Sequence, residues 1–446
     1  MIIFVVQNFA TMDLIRKLLF LLCPVGVLLA CCGCAEDRTY QYEEKTSEAR
    51  WVENTVEEWY LWADSMPGVG WKDYFYGSEA FLKALTSKIY QADRWSYCEI
   101  DSLGKDYHRR GYFDHLDSYG MDVALMTDPT GMTSRQYARV ISVYEGSPAE
   151  RCGLERNDFI SYVNGQKVAS SNMKSFFSGL ARTLVVSKLS YDLDAQMFLW
   201  SKTDTVELSR SEYVEDKAFP VDSVYDINGY NVGYLMCSRL VSGAAEQGGA
   251  DGVYRMALDN IMDRMKEKSV DAMILDLRLC SYGEMGMVCR LLSHLAGESG
   301  GAMLQTVWKE SKSSMNETFA FDSSVSKSLG LERVYIITGK YTQGAAEWLI
   351  QGLKGLLGEE NVLTFGSQTA GQNVWLHPVE SADGGVTLHL ASAYVADANG
   401  NYDYSDGHAP LVPIDEFSFA ELYPYGDLRE VLLAEVIRIM IPYEGM

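Results

Sequence analysis

Apolar and polar residues alternate differently along the chain. Residues 18–30 are an unbroken apolar run behind Arg16 and Lys17. Between residues 47 and 63, Trp51, Val52, Thr55, Val56, Trp59, Tyr60 and Ala63 recur at helical spacing. This predicts an amphipathic helix, ended by Pro67-Gly68. A second helix is expected with Ser78 as N-cap and Phe81, Leu82 and Leu85 on one face. The pattern then shortens. Residues 135–143 and 158–163 are β-branched and aromatic runs, Asn164-Gly165 is a hairpin turn signal, and residues 172–184 have helical spacing.

From residue 231 onward strands and helices alternate. Strands are expected at 232–236, 272–277, 334–338 and 362–365, and helices at 253–268, 285–295 and 345–356. That order argues a mixed α/β fold with a largely parallel sheet, whose chemistry sits in loops after the C-terminal ends of strands. Those loops are residues 278–284, 339–345 and 366–373.

Composition narrows the function classes. The 446 residues carry a net charge of −23, and no Lys/Arg cluster stands ready to neutralise phosphates, which disfavours nucleic acid as a partner. Of nine cysteines, Cys23, Cys31, Cys32 and Cys34 fall in the first 34 residues. The remaining Cys98, Cys152, Cys237, Cys280 and Cys289 form neither a disulfide framework nor a zinc pattern. His108, His115, His294, His377, His389 and His408 show no ligand spacing, so no metal or cofactor is expected. The aromatic density of Trp59, Tyr60, Trp62, Trp71, Tyr74, Phe75 and Tyr76 has two readings, a glycan-stacking surface or core, and helical spacing favours core.

The basic pair followed by the apolar run has the order of a secretory signal, with Met12 the natural start, and is too short for a good membrane span. Leu28-Leu29-Ala30-Cys31 resembles the lipobox of bacterial lipoproteins, which implies Cys31, or Cys34 nearby, as a lipid anchor. Ala35-Glu36-Asp37 resembles a surface-export signal of Gram-negative lipoproteins. The expected location is therefore the outer membrane of the cell envelope, on its periplasmic or surface face. An ordinary cleaved signal peptide is the alternative.

Gly146-Ser147-Pro148-Ala149, then Cys152-Gly153-Leu154 and Asn157-Asp158-Phe159-Ile160, resemble the most recognisable stretch of a PDZ domain. Such domains take a peptide C-terminus by strand addition, the carboxylate held by backbone N–H groups of a loop. By position that loop is Tyr119-Gly120-Met121, although Asp122 beside it would repel a carboxylate if it pointed inward.

Residues 47–440 as a whole resemble the C-terminal processing (tail-specific) serine peptidases. The anchors are Val232-Gly233-Tyr234-Leu235, Asp276-Leu277-Arg278, Ala345-Ala346-Glu347, Thr369-Ala370-Gly371, Asp403-Tyr404, Gly407 and Pro410. The resemblance implies a ClpP/crotonase-like α/β domain. It divides the chain into a signal and anchor (1–34), a helical region (35–117), a PDZ-like domain (118–215) and a peptidase-like domain (216–446). In that family a serine attacks the peptide carbonyl and a lysine is its general base. Here the serine position falls on Gly344 and the lysine position on Gln372, an amide that takes no proton at a useful pKa. The oxyanion region is altered as well, with Cys280, Tyr282 and Gly283 after Arg278, and Ala345 after the nucleophile position. The expectation is an inactive homologue that binds polypeptide or an envelope partner protein. The competing readings are a peptidase rewired onto Thr342 (with Lys340 nearby) or Cys280, and a glycan-binding lipoprotein.

Overall fold

A computed structural model describes residues 39–87, 93–100, 115–243, 252–296 and 301–441. The signal segment and the lipid-anchor residue Cys31 lie outside the described residues. The described residues fall into two compact units, one drawn from residues 39–58 and 63–87, the other from residues 59–62 and 93–441.

In the first unit a helix spans Thr39–Trp59 and a second spans Ser78–Thr86. The first starts earlier than its apolar spacing announces, because residues 39–46 are polar and helix-compatible and leave no apolar stripe to read. Gly77, not Ser78, caps the second helix; the Ser78 hydroxyl instead bonds the Glu48 carboxylate. Val52, Val56, Phe81, Leu82 and Leu85 are buried, and Tyr74 packs on Phe81 while donating to Glu53 at 2.7 Å. Trp71, Phe75 and Tyr76 are exposed, against the expectation that the aromatics here are core.

The PDZ-like part of the second unit is one antiparallel sheet. Its strands run in the order Met121–Thr127, Gln136–Val143, Phe159–Val163, Arg182–Asp192 and Met197–Leu208. Asn164-Gly165 turns Phe159–Val163 into the short strand Gln166–Lys167, as its turn signal predicts. Residues 172–184 do not form the expected helix. Only Met173–Phe176 is helical, and β-branched Thr183, Val185 and Val186 are drawn into the sheet between two partner strands. Asn157 stands at φ +81, a left-handed conformation in place of the motif's glycine. Cys152 packs against the core as a small apolar group.

The α/β part carries a six-stranded sheet ordered Val221–Ile227, Tyr230–Met236, Ala272–Asp276, Val334–Thr338, Val362–Gly366 and Val412–Pro413. All its pairings are parallel but the first. Strand side chains alternate between two faces. Leu235, Met273, Leu275 and Ile336 pack against the helices Val253–Glu267, Met285–Leu295 and Ala345–Leu357. Tyr234, Ile274, Ile337 and Phe365 pack against the C-terminal helix Val431–Met440.

A second, antiparallel sheet was not legible as such. Val386–Asp397 pairs with Tyr97–Ile100, Ala302–Trp308 and Val374–Glu380. Tyr97–Ile100 therefore is a strand within the stretch expected to be helical to residue 117. Its partner lies far away in sequence, so no local pattern announces the pairing. The PDZ-like and α/β parts are bound within one unit. Buried Arg139 donates to the carbonyls of Phe417, Phe419 and Ala420, and Arg156 reaches Glu416 and the Tyr423 carbonyl. Among the described residues no helix is long and apolar enough to cross a membrane.

Candidate functional site

Strands Ala272–Asp276 and Val334–Thr338 lie side by side, so the loops that leave their C-terminal ends converge with the loop after Val362–Gly366. Gly344 closes the middle loop and caps helix Ala345–Leu357 at φ +58, ψ −116, a backbone shape open to glycine and strained for other residues. Its N–H points at Glu347 Oε2 at 3.2 Å. Gln372 arrives from the next loop. A Cβ added to Gly344 would stand 3.2 Å from Gln372 Oε1. The two positions singled out in the sequence are thus neighbours, and between them stand hydrogen and amide in place of hydroxyl and amine.

Gln343, which the sequence reading passed over, completes this centre. Its Nε2 donates to Gln372 Oε1 at 2.8 Å. The Gln372 backbone is held on both sides, its N–H on Glu347 Oε2 at 2.6 Å and its carbonyl accepting from Trp348 Nε1 at 3.2 Å. Neither amide is basic, so the pair can hold and orient but not abstract a proton.

Beneath it lies fully buried Glu347. Its carboxylate accepts from Gly344 N, Thr369 Oγ1, Gly371 N and Gln372 N. Burial pushes this carboxyl up to about 7, against the downward pull of those donors. Glu347 occupies the third position of its helix, where a side chain folds back on the cap; that spacing was the signal for it. His408 donates its N–H to Thr369 Oγ1 at 2.7 Å and stacks on Tyr404, and burial brings its imidazole down to about 4.

The residues that the resemblance assigns to an oxyanion region lie close together. A Cβ on Gly283 would stand 2.7 Å from the Ala345 Cβ, so these two positions touch. Tyr282 lends its carbonyl to Leu240 N at 3.0 Å, and its phenol is held above its ordinary range by burial. Cys280 is buried, its carbonyl accepting from Gln343 N. Thr342 is buried too, its hydroxyl donating to the Leu277 carbonyl at 2.8 Å and accepting from Gly339 N. Neither Thr342 nor Cys280 lines the cavity above the amide pair. Lys340 lies over the Tyr341 ring.

That cavity measures about 850 Å³. Gln343, Gly344 and Gln372 line it together with Tyr282, Met285, Trp348, Trp375 and Leu376. Asp122, Val123 and Ile141 bring the PDZ-like sheet to it. Val123 belongs to Met121–Thr127, an edge strand of that sheet among the described residues. Of the sequence-predicted peptide loop, Tyr119 is buried and its carbonyl accepts from Ala149 N, while the Gly120 N–H is taken by Ser118 Oγ. Met121 opens the edge strand. Asp122 accepts from Ser142 Oγ and Tyr144 Oη.

Beside the centre, Arg278 is buried in a cluster with Asp276, Glu416 and Glu430, and Arg156 joins Glu416 from the PDZ-like part. Among the described residues no group of three or more His, Cys, Asp or Glu could hold a metal ion.

Comparison with known proteins agrees with this architecture. A family model of the Peptidase S41 N-terminal domain matches residues 47–97, and one of the PDZ domain matches residues 139–178. The chain is 24% identical over 289 residues to carboxy-terminal processing protease CtpA of Bacillus subtilis (strain 168), covering 65% of this chain and 55% of that protein. It is 21% identical over 301 residues to CtpB of the same organism, covering 67% and 56%. The chain thus spans little more than half the length of these relatives. A crystal structure from Bacteroides fragilis NCTC 9343, assigned to the S41 proteases, superposes with a TM-score of 0.75 at 25% identity, covering 87% of this chain and 96% of that one. Fold, domain order and sequence likeness together make the chain similar to the S41, C-terminal processing peptidases.

Proposed function

We propose that this chain is a lipid-anchored envelope protein that binds polypeptide, or a partner protein, without cleaving it. One observation carries the reading: where the family's serine and lysine align, Gly344 faces Gln372, and the latter is engaged by a second amide. Loss of either member of a nucleophile/base unit costs about as much as loss of both, on the order of 10⁶ in turnover. A groove between an open strand edge and an aromatic-lined cavity suits an extended chain that adds to the sheet while its side chains enter the cavity.

The test is cleavage of unfolded polypeptides with apolar C-termini by the purified chain, beside a Gly344→Ser, Gln372→Lys double variant. The wild type is expected to bind and release no fragments. Wild-type turnover lost on Thr342→Ala or Cys280→Ala would overturn the reading in favour of a rewired peptidase. The anchor is tested separately by incorporation of labelled palmitate, expected to be lost in Cys31→Ala and retained in Cys34→Ala, and its place by fractionation of the outer membrane. A glycan-binding role draws support from the exposed Trp71, Phe75 and Tyr76; calorimetric titration with glycan fragments against C-terminal peptides separates the two.

A further inference from the structure

We propose that the emptied catalytic centre is a recognition site for the neutral carboxamide of a Gln or Asn side chain rather than for a free C-terminal carboxylate. The inference rests on the polypeptide-binding reading and names what that site reads.

The bond from Gln343 Nε2 to Gln372 Oε1 uses one N–H of the first amide and one lone pair of the second. The Gln372 amino group and the Gln343 carbonyl remain. Among the described residues neither has a hydrogen-bond partner, although Gln372 is only 7% exposed and lines the cavity. A donor and an acceptor side by side are the complement of one amide group, which offers a carbonyl and an N–H in the same arrangement. Both groups open on the cavity, where a ligand that supplies the matching acceptor and donor completes their hydrogen bonds.

The position is rigid, as selective recognition requires. Glu347 holds the Gln372 N–H and Trp348 holds its carbonyl, while Trp348 stacks on Trp375 at 5.5 Å. The missing Cβ of Gly344 leaves space directly over the Gln372 amide. Tyr341, Tyr282, Met285, Leu376 and Pro378 offer apolar surface for the residues on either side of the amide.

Charge disfavours the alternative. The cavity carries the carboxylates of Asp122 and Glu284 against the single guanidinium of Arg94, which is engaged by the carbonyls of Ala370 and Ser405. A carboxylate entering it meets two like charges against one guanidinium, while His389, which also lines the cavity, is held on Glu99.

The experiment titrates the purified chain calorimetrically with a capped apolar pentapeptide bearing a central Gln, the same peptide with Glu, and the uncapped acid of a Gln-free analogue. The Gln peptide is expected to bind about ten-fold more tightly than either, the worth of one or two net hydrogen bonds. That preference is expected to vanish in Gln372→Leu and in Gln343→Leu, the second at a half-buried position, with circular dichroism checking that each variant is folded. Equal binding of all three, or a preference that survives both substitutions, overturns the carboxamide site and leaves polypeptide binding standing. Binding of none overturns both.

Discussion

Gly344 and Gln372 face each other so closely that a methyl group on the first would stand 3.2 Å from the side-chain oxygen of the second. Any attempt to rebuild the family's chemistry has to fit into that gap, and also has to tolerate the Gly344 backbone.

Gly344→Ser is therefore expected to destabilise the protein by about 1–3 kcal/mol, because φ +58 with ψ −116 is strained for a residue with a Cβ. Differential scanning calorimetry reads this as a lower melting temperature. An unchanged or raised melting temperature would show that the turn relaxes freely.

Glu347 and His408 make opposite contributions to stability as pH changes. Unfolded, Glu347 titrates near 4.5, and folded it is pushed up to about 7 by burial. The native state thus binds its proton more tightly, and its contribution falls as pH rises from about 4.5 to 7. His408 is brought from 6.5 down to about 4 by burial and by the charge of Lys354. Its contribution is present above 6.5 and is lost as pH falls toward 4. Each slope amounts to about 3 kcal/mol across its window, and they oppose one another where the windows overlap. Glu347→Gln should leave stability that drops on acidification, and His408→Asn stability that drops as pH approaches 7. Urea unfolding across this range checks both, and slopes of the same sign in the two variants would contradict the assignment.

Arg278 is 1% exposed among Asp276, Glu416 and Glu430. Arg278→Ala leaves buried carboxylates without their cation and is expected to cost about 3–5 kcal/mol. Because Glu416 also binds Arg156, the same substitution should loosen the PDZ-like part. Limited proteolysis should then cut sooner at residues 415–425, and an unaltered digestion pattern would show that the parts hold together without it.

Val123 sits on the edge strand and lines the cavity. Val123→Asp should weaken binding of apolar peptides about ten-fold or more while circular dichroism stays unchanged, since the strand has a partner on one side only among the described residues. Undiminished affinity would move the peptide away from this edge.

The parallel sheet and its helices were legible from residue pattern because each element is buried on a face its own sequence encodes. Val334–Thr338 and Met285–Leu295 have the very bounds their apolar runs announce. The antiparallel sheet around Val386–Asp397 was not, since that strand's partners come from three separated segments and pairing over such distances leaves no local trace. Residues 172–184 failed for a related reason: a spacing compatible with a helix lost to two waiting strands.

The residues at Gly344 and Gln372, and with them the absence of a hydroxyl nucleophile and an amine base at those positions, are written in the sequence, because a missing side chain needs no structure to be missing. That Gln343 turns onto Gln372, that Glu347 gathers four donors beneath them, and that Thr342 and Cys280 are packed away from the cavity were decided only by tertiary structure. Each depends on which loops three neighbouring parallel strands bring together, and that convergence is a property of the folded sheet rather than of any stretch of chain.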